Sequence, residues 1–353
     1  MTENNRLFRG DNLEVLRHHV RDESVDLCYI DPPFHSRRNY EARARAGAFS
    51  DIWRWDAAAQ AGFDAILHPS GNPHPGRMAR LIEGLEPVVG RGSLLAYLVS
   101  LGLRVSEIHR VLRPTGSLFL HCDPTASHYL KVLLDSVFGG AGGGFRNEIV
   151  WCYSQGGKSR KWFGRKHDII LYYAKSDRCH FDPAAIRVEM RSGRHSFGGR
   201  LLAGEDGRKY RLVYGTRNSH GEARYYKYYL DEGKLPEDWW VDINSLQASA
   251  AERTGYPTQK PEALLRRIIE ACSRPGDTVL DAYCGCGTTL VAAERAGRRW
   301  IGVDLAPEAI ALTLDRLQAA FGREVVDRIA VSPAGQGTPG TRPECDPGTA
   351  DIL

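Results

Sequence analysis

The stretch Asp281-Ala-Tyr-Cys-Gly-Cys-Gly-Thr-Thr289 decides the fold that we predict for this chain. The short apolar run 278–280 precedes it, and residues 290–294 follow it with helical spacing. An apolar run that breaks at glycines and continues as a helix is typical of the strand, turn and helix that open a doubly wound α/β sheet. Gly285 and Gly287 lack a Cβ, so the backbone can bend sharply there and a ligand can lie against it near the start of the helix.

An acidic residue follows at the tip of the next predicted strand. The run Arg-Trp-Ile-Gly-Val at 299–303 ends in Asp304. In sheets of this kind such an acid holds the hydroxyl groups of a ribose. The unit therefore indicates a nucleoside ligand, although an ordinary glycine turn in a Rossmann-like domain is the alternative when the turn is taken alone.

Two phosphate-binding patterns fit the turn poorly. A dinucleotide fingerprint has a third glycine where this chain has Leu290, which disfavours a nicotinamide-dependent oxidoreductase, and a P-loop has a lysine where this chain has Thr288. Tyr283 stands just before the glycine pair. An aromatic residue there suits a nucleoside without a pyrophosphate, and S-adenosylmethionine is the common one.

The composition is that of a globular protein with a mild excess of positive charge. The chain has 353 residues, of which 42% are hydrophobic and 25% are charged. A net charge of +4 permits a nucleic-acid partner without requiring one. Eight cysteines without a C-x-x-C or His-Cys spacing predict reduced thiols in a cytoplasmic protein and no metal site, and no apolar run is long enough to span a membrane.

A second motif ends the predicted buried strand Val25–Ile30. The strand stops at Asp31-Pro-Pro-Phe34. Because two prolines cannot continue a ladder, we expect Asp31 and Phe34 at the carboxyl end of a strand, where open α/β sheets bind their ligands. The alternative is that the prolines only terminate the strand.

Other segments are predicted from periodicity and composition. A helix is expected at 94–112, followed by a turn at Arg113–Gly116 that leads into a strand at 117–120. The irregular segment at about 35–92 is a lid, a partner surface or a solvated insertion. Residues 332–353 are rich in Pro, Gly and Thr and are predicted to be disordered.

Two basic segments also carry aromatic residues. The loop 154–167 contains Trp162 and Phe163, and the segment 176–242 is dense in arginine and tyrosine. Cations interleaved with flat rings suit phosphates and unstacked bases, whereas a solvated face is the alternative. The DNA-binding residues predicted in these segments are Lys158, Arg160, Lys161, Arg165, Arg224 and Lys227.

The combination of these motifs is more specific than its parts. Asp31-Pro-Pro-Phe34, the basic aromatic insertion, Thr258-Gln-Lys-Pro261 and the glycine turn ending in Asp304 together resemble the S-adenosylmethionine-dependent DNA amino-methyltransferases. Their order resembles that of the circularly permuted β group, in which the catalytic half precedes the cofactor half. The resemblance implies a Rossmann-like methyltransferase fold of the α/β class. Its sheet is expected to be mixed, mostly parallel and seven-stranded, with an inserted target-recognition region.

The resemblance also implies a division of the chain. The catalytic half is expected at 1–175, the target-recognition insertion at 176–242, the S-adenosylmethionine-binding half at 243–331 and the tail at 332–353.

Site residues follow by resemblance as well. The catalytic residues are Asp31, Pro32, Pro33 and Phe34, of which Asp31 and the Pro32 carbonyl accept the hydrogens of the target amine and Phe34 stacks on a flipped-out base. The cofactor residues are Asp11 at the adenine end, Asp281, Tyr283, Gly285 and Gly287 at the methionine end, Asp304 at the ribose, and Thr258 with Lys260 in a turn over the amino-acid moiety. Thr288 and Thr289 either cap the helix or contact the methionine carboxylate, and capping is the preferred interpretation. Ala282-Tyr283 departs from the Pro-Phe that the family usually has there.

The implied activity is methylation of the exocyclic N6 amine of adenine in double-stranded DNA, in the manner of restriction-modification methyltransferases. An Asp before Pro-Pro favours adenine over the N4 amine of cytosine. The chain has no Pro-Cys dipeptide, which counts against the C5-cytosine enzymes that attack the ring through a thiolate. A catalytically idle DNA-binding module is the alternative from another class. The target sequence, a homodimeric state and a cognate restriction endonuclease stay open.

Overall fold

The fold is built around one large twisted sheet. The computed structural model describes residues 5–35, 39–40, 49–50, 52–68, 76–140, 142–154, 160–188, 201–217 and 221–334. The strands are β1 (Arg6–Arg9), β2 (Val25–Ile30), β3 (Asn39–Tyr40), β4 (Phe49–Ser50), β5 (Leu112–Cys122), β6 (Gly144–Cys152), β7 (His167–Ala174), β8 (Leu201–Ala203), β9 (Lys209–Tyr214), β10 (Tyr225–Tyr229), β11 (Trp239–Trp240), β12 (Thr278–Asp281), β13 (Arg299–Asp304) and β14 (Ala330–Pro333).

Helices cover both faces of this sheet. They are α1 (Asn12–His19), α2 (Ala57–Leu67), α3 (Gly76–Val89), α4 (Ser93–Val111), α5 (Ser127–Phe138), α6 (Glu262–Cys272), α7 (Thr288–Arg295), α8 (Pro307–Phe321) and α9 (Arg323–Val326), with a short 3-10 helix at Leu230–Glu232. Residues of α1 to α5 pack in one hydrophobic cluster and residues of α6 to α8 in the other. The chain is therefore a three-layer α/β domain.

The main sheet has nine strands in the order β11-β6-β7-β5-β2-β12-β13-β1-β14. All neighbours are parallel except β7, which is antiparallel to both β5 and β6. The seven strands from β6 to β1 form the predicted mixed, mostly parallel sheet. The short strands β11 and β14 were not predicted and extend its two edges.

β2 is the strand whose sequence explains its central position. All six of its residues are buried, as expected for a parallel strand that is covered on both faces. Leu27 and Tyr29 belong to one hydrophobic cluster, whereas Cys28 and Ile30 belong to the other. The alternation distributes successive side chains to opposite faces of the sheet.

Four acidic residues meet at one edge of the sheet. β2, β12, β13 and β1 are parallel neighbours, so their carboxyl ends point the same way. Asp31 and Asp11 lie just beyond β2 and β1, and Asp281 and Asp304 are the last residues of β12 and β13. The strand order thus brings Asp11 and Asp31 to the same edge as Asp281 and Asp304, which follow them by more than 200 positions in the sequence.

The predicted turn at Arg113–Gly116 is wrong as a strand boundary, because β5 already begins at Leu112. Val25 of β2 pairs with Leu112, and two residues later Leu27 pairs with Ser117. The extra residues of β5 form a bulge in the ladder. The Pro114 carbonyl of this bulge accepts a hydrogen bond from Ser176 Oγ at 2.6 Å.

The segments that were predicted to be excursions contribute to the core. Phe63 and Ile66 of α2 and Met78 and Ile82 of α3 are buried in the same cluster as α4, so the solvated-insertion alternative does not apply to these helices. Within the predicted insertion 176–242, β8, β9 and β10 form a separate antiparallel sheet.

The ends of that insertion belong to the main domain. Ile186 and Trp240 are buried in the cluster beside α6, and β11 pairs with β6. The described residues that lie outside both hydrophobic clusters therefore form a shorter segment than the predicted insertion 176–242.

The predicted tail boundary at residue 332 does not coincide with the end of the sheet. Ser332 and Pro333 lie in β14 and pair with Phe8 and Arg9 of β1. Residues 335–353 lie outside the described residues. Among the described helices, none is both long and apolar enough to cross a membrane.

Leu290 fills the place where a dinucleotide fingerprint has its third glycine. A Cβ added to Gly302 of β13 would lie 2.5 Å from Leu290 Cδ1 and 3.0 Å from Leu7 Cδ1. The close contact between α7 and the sheet is therefore made by a glycine on the strand and a leucine on the helix.

Gly302→Ala is expected to lower the free energy of unfolding by about 1–3 kcal/mol, because the added methyl overpacks a fully buried contact. Gly84→Ala in α3 is the matched control, since its Cβ meets nothing within 4 Å. That variant is expected to be neutral or stabilising by up to about 1 kcal/mol. Urea denaturation of the two variants measures the difference, and equal stabilities would contradict the packing argument.

Candidate active site

A cavity of about 690 Å³ opens at the carboxyl ends of β1, β2, β12 and β13. Its volume is within the range of roughly 300–1,000 Å³ that small-molecule sites occupy. Of the residues predicted for catalysis and cofactor binding, all except Gly287 line it: Asp11, Asp31, Pro32, Pro33, Phe34, Thr258, Lys260, Asp281, Tyr283, Gly285, Thr288 and Asp304. The structure therefore brings the two predicted halves of the site into one space.

The glycine turn has the backbone that the sequence predicted. Gly285 and Gly287 have φ of 50° and 74°, in the left-handed region that favours glycine. A Cβ on Gly287 would lie 2.6 Å from Cγ2 of Thr313, and a Cβ on Gly285 would lie 3.1 Å from the ring of Tyr256. Gly287 thus packs closely against Thr313 of α8, whereas Gly285 borders the cavity.

The preferred interpretation of Thr288 and Thr289 as helix caps is wrong. Gly287 occupies the N-cap position of α7, and no side chain caps the helix. The Thr289 hydroxyl donates to Asp281, and Arg316 Nη1 donates to Thr288 Oγ1 at 3.0 Å. The hydroxyls are therefore engaged by neighbouring side chains.

Asp281 fixes the glycine turn through hydrogen bonds to residues on both sides of it. Its carboxylate accepts hydrogen bonds from Tyr283 N at 3.0 Å and from the Thr289 hydroxyl. Burial, together with the nearby carboxylates of Asp31 and Asp304, raises the pKa of Asp281 from 3.8 to about 7. A carboxyl group in this position is poised to change protonation near neutral pH.

Asp304 connects β13 to the glycine turn. Its carboxylate accepts hydrogen bonds from Gly285 N at 2.8 Å and from Ala306 N at 2.9 Å. Burial raises its pKa, and these two backbone N–H groups act in the opposite direction. Each carboxylate oxygen retains a lone pair for a further donor in the cavity.

Asp11 lines the cavity next to Arg104 and Asn12, two residues that were not predicted from the sequence. Its carboxylate caps α1 by accepting from Leu13 N at 2.8 Å, and it pairs with Arg104 Nη2 at 2.7 Å. Asn12 accepts from Arg104 Nε at 2.5 Å and donates to the Ala282 carbonyl at 2.7 Å. Arg104 stands in an apolar stretch of α4, where the sequence carries no signal for a site residue.

Asp31 is held by a cation from the other half of the chain. Lys260 Nζ forms an ion pair with Asp31 Oδ2, and it lies 5.3 Å from the centroid of the Phe34 ring. Asp31 Oδ1 is buried and has no hydrogen-bond partner among the described residues. Thr258, two residues before the lysine, has a positive φ of 60°.

A buried hydrogen-bond network supports Phe34. The His121 ring stacks on Phe34 with centroids 6.0 Å apart, and its Nδ1 and Nε2 lie 2.8 Å from Tyr29 Oη and 3.1 Å from Asp168 Oδ2. A carboxylate only accepts hydrogen bonds, so Nε2 donates to Asp168, and Nδ1 shares the second hydrogen bond with the Tyr29 hydroxyl. Tyr153 donates to the other oxygen of Asp168 at 3.1 Å.

Burial by itself would raise the pKa of Asp168, but the hydrogen bond and charge of His121, with further contributions from Lys260 and Tyr153, hold it below its ordinary value. No local pattern in the sequence indicates that Tyr29, His121 and Asp168 meet behind Phe34.

The predicted DNA-binding residues lie outside the cavity. Arg160, Lys161 and Arg165 are exposed in the loop between β6 and β7, beside Trp162 and Phe163, which are 70% and 97% exposed. Arg224 and Lys227 are exposed on or beside β10, where Lys227 Nζ lies 4.9 Å from the Tyr210 ring centroid. Lys158 falls outside the described residues. In the described part of the chain, no group of three or more His, Cys, Asp or Glu side chains could hold a metal.

A Rossmann-like sheet with acidic residues and a glycine turn at its carboxyl edge is typical of proteins that bind a nucleoside cofactor. Residues 25–315 match the N6/N4 methyltransferase family, described as DNA methylase, and the chain belongs to this family. Membership confirms the predicted family and fold class, together with S-adenosylmethionine as the cofactor and DNA as the substrate.

Known proteins resemble the chain over most of its length. It is 27% identical to the DNA adenine methyltransferase YhdJ of Escherichia coli K12 over 316 residues, which are 89% of this chain and 83% of the relative. It is 28% identical to the type II methyltransferase M.HpaI of Haemophilus parainfluenzae over 62% of this chain and 58% of the relative.

The solved structure of the cytosine-N4-specific PvuII DNA methyltransferase aligns over 94% of this chain and 96% of that one, with a TM-score of 0.53 and 15% identity. At that identity the likeness is one of fold.

Asp281→Asn is expected to reduce the pH dependence of stability between about pH 4 and 7. The folded chain keeps the Asp281 proton up to a pKa of about 7, whereas the unfolded chain releases it near 3.8. The unfolded state therefore binds fewer protons in this window, and the free energy of unfolding falls as the pH rises, by up to about 1.4 kcal/mol per pH unit.

Urea denaturation at pH 5, 6 and 7 measures this slope in the wild type and in the Asn variant, which lacks the titrating proton. Asp327→Asn, at an exposed carboxylate, controls for the change in net charge. An unchanged slope in the Asp281 variant would show that Asp281 does not titrate in this range.

Proposed function

We propose that this chain transfers the methyl group of S-adenosylmethionine to the exocyclic N6 amine of adenine in double-stranded DNA. The observation that carries the proposal is the position of Asp31-Pro-Pro-Phe34 at the carboxyl end of β2, in the same cavity as the glycine turn. Asp31 Oδ1 is a buried acceptor that awaits a donor, and an exocyclic amine supplies one.

The cavity fits the cofactor in size and in charge. S-adenosylmethionine supplies an electrophilic methyl group on a positively charged sulfonium, and the carboxylates of Asp31, Asp281 and Asp304 surround the space that it would enter. Asp304 retains lone pairs for the ribose hydroxyls, and Gly285 offers a side-chain-free surface beside it. Asp11, with its partner Arg104, is assigned to the adenine end.

The exocyclic amine is a poor nucleophile because its lone pair is delocalised into the ring. Asp31 Oδ1 and the Pro32 carbonyl each accept one of its hydrogens, which favours a tetrahedral nitrogen whose lone pair points at the methyl group. The nitrogen forms a bond to the methyl carbon as the sulfur–carbon bond breaks, and the bonding electrons stay on sulfur. The nitrogen then releases a proton to Asp31, which passes it to water.

A base inside a duplex cannot reach this cavity, so the target base must be flipped out of the stack. Phe34 offers a ring for the flipped base, and His121 behind it limits its movement. The charge and aromatic rings of the β6–β7 loop suit the backbone and bases of DNA beside the cavity. The same composition on β10 supports its assignment to target recognition.

Two observations favour adenine over cytosine. The chain has Asp, rather than Ser, before Pro-Pro, and the relative aligned over 89% of the chain is a DNA adenine methyltransferase. The amine and ring nitrogen of cytosine present the same donor and acceptor pattern, so the cavity chemistry alone accommodates both bases.

Incubation of the protein with methyl-labelled S-adenosylmethionine and unmethylated duplex DNA, followed by nucleoside mass spectrometry, tests the proposal. We expect N6-methyladenine. Asp31→Asn is expected to lower the transfer rate by on the order of 100-fold or more, because the amide no longer offers a charged acceptor. Asp304→Ala is expected to weaken cofactor binding by about tenfold or more, measured by calorimetry.

Detection of N4-methylcytosine would support the same mechanism with cytosine, rather than adenine, as the target base. Binding of DNA without label in any nucleoside would favour the idle DNA-binding module.

Removal of the loop cations is expected to lower the salt dependence of DNA binding. Each phosphate contact contributes a slope of about −0.9 to the plot of log affinity against log salt, so Arg160→Ala with Arg165→Ala should reduce the slope by up to about 2. Arg224→Ala with Lys227→Ala tests the β10 surface in the same way.

The control is Arg323→Ala with Arg328→Ala, which removes two exposed cations near α9. If the loop pair and the control pair change the slope equally, the loop is only a solvated surface.

A further inference from the structure

Lys260 is a buried lysine that makes its contacts with the catalytic motif. It is 9% exposed, and its ammonium pairs with Asp31 Oδ2. The same nitrogen lies 3.4 Å from the Thr258 carbonyl, which accepts from it, and 5.3 Å from the Phe34 ring centroid. The ammonium is thus fixed by the turn that carries it and by the motif that it faces.

The ion pair divides the Asp31 carboxylate into two different oxygens. Oδ2 is engaged by Lys260, and Oδ1 is buried without a partner among the described residues. Because a carboxylate is planar, fixing one oxygen also fixes the direction in which the other presents its lone pairs. The free oxygen therefore has a defined orientation before any base enters.

We infer that Lys260 is a positioning residue for methyl transfer, which holds the Asp31 carboxylate by Oδ2 and turns its free oxygen toward the amine of the target base. This role rests on the proposed function. It differs from the role implied by the family resemblance, in which Lys260 belongs to a turn that closes over the amino-acid moiety of the cofactor.

The two roles predict different kinetic defects. Lys260→Met keeps the length of the side chain and removes its charge, and Lys260→Arg restores a cation at the same place. Arg295→Met is the matched control, because Arg295 pairs with Glu262 at 2.6 Å in an exposed ion pair just beyond the same turn. Thermal melting verifies that each variant is folded before it is assayed.

The measurements are the single-turnover rate of methyl transfer to duplex DNA at saturating cofactor and the dissociation constant of S-adenosylmethionine. We expect Lys260→Met to lower the rate by on the order of 100-fold while the dissociation constant changes by less than about threefold. The rate of Lys260→Arg should be at least tenfold higher than that of Lys260→Met. Arg295→Met should match the wild type in both the rate and the dissociation constant.

A Lys260→Met variant with weakened cofactor binding and a wild-type rate at saturation would overturn the inference and return Lys260 to the cofactor. A loss of rate that Lys260→Arg does not recover would also overturn the inference. It would show that the rate depends on the packing of the lysine side chain and not on its positive charge. If the wild type itself labels no nucleoside, the proposed function fails, and the role of Lys260 fails with it.

Discussion

The site depends on the parallel pairing of β12 with β2 on one side and with β13 on the other. β12 has only four residues, all buried, yet it pairs with β2 of the predicted catalytic half and with β13 of the predicted cofactor half. Asp26 strengthens this junction, because one of its carboxylate oxygens accepts from Thr278 N at 2.9 Å and the other pairs with Arg113 at 2.9 Å. Without that register, Asp31 and Asp281 would not share a cavity.

The convergence of four carboxylates at one edge creates an electrostatic cost that the surrounding structure reduces. Arg104 pairs with Asp11, Lys260 pairs with Asp31, and backbone N–H groups donate to Asp304. Asp281 has no cation of its own in these pairs, and its pKa is raised by burial and by the nearby carboxylates of Asp31 and Asp304. A positively charged ligand would relieve the remaining repulsion, which agrees with a sulfonium cofactor.

Much of the site could be predicted from sequence because its signals are local. The glycine turn, the Asp-Pro-Pro-Phe strand end and the acid at the tip of β13 each depend on a few adjacent residues whose backbone preferences are strong. The family profile confirmed the class of protein that these motifs predicted.

The parts that sequence could not predict involve partners distant in the chain. Tyr29, His121 and Asp168 meet only because β5 lies between β2 and β7, and no local pattern reveals that order. The capping role of Thr289 was wrong because Asp281, eight residues earlier, competes for its hydroxyl. The bulge in β5 looked like a turn because Pro114 and Gly116 are typical of turns, whereas the strand resumes its pairing beyond them.

The bridge between Val188 and Lys234 separates the small sheet of β8, β9 and β10 from the main domain. The two residues exchange backbone hydrogen bonds of 2.9 Å, so the chain leaves the main domain and returns to it at one point. None of the described residues of β8, β9 and β10 belongs to either hydrophobic cluster. Substitutions in β8, β9 and β10 can therefore accumulate without repacking either of the hydrophobic clusters that hold the cavity in place.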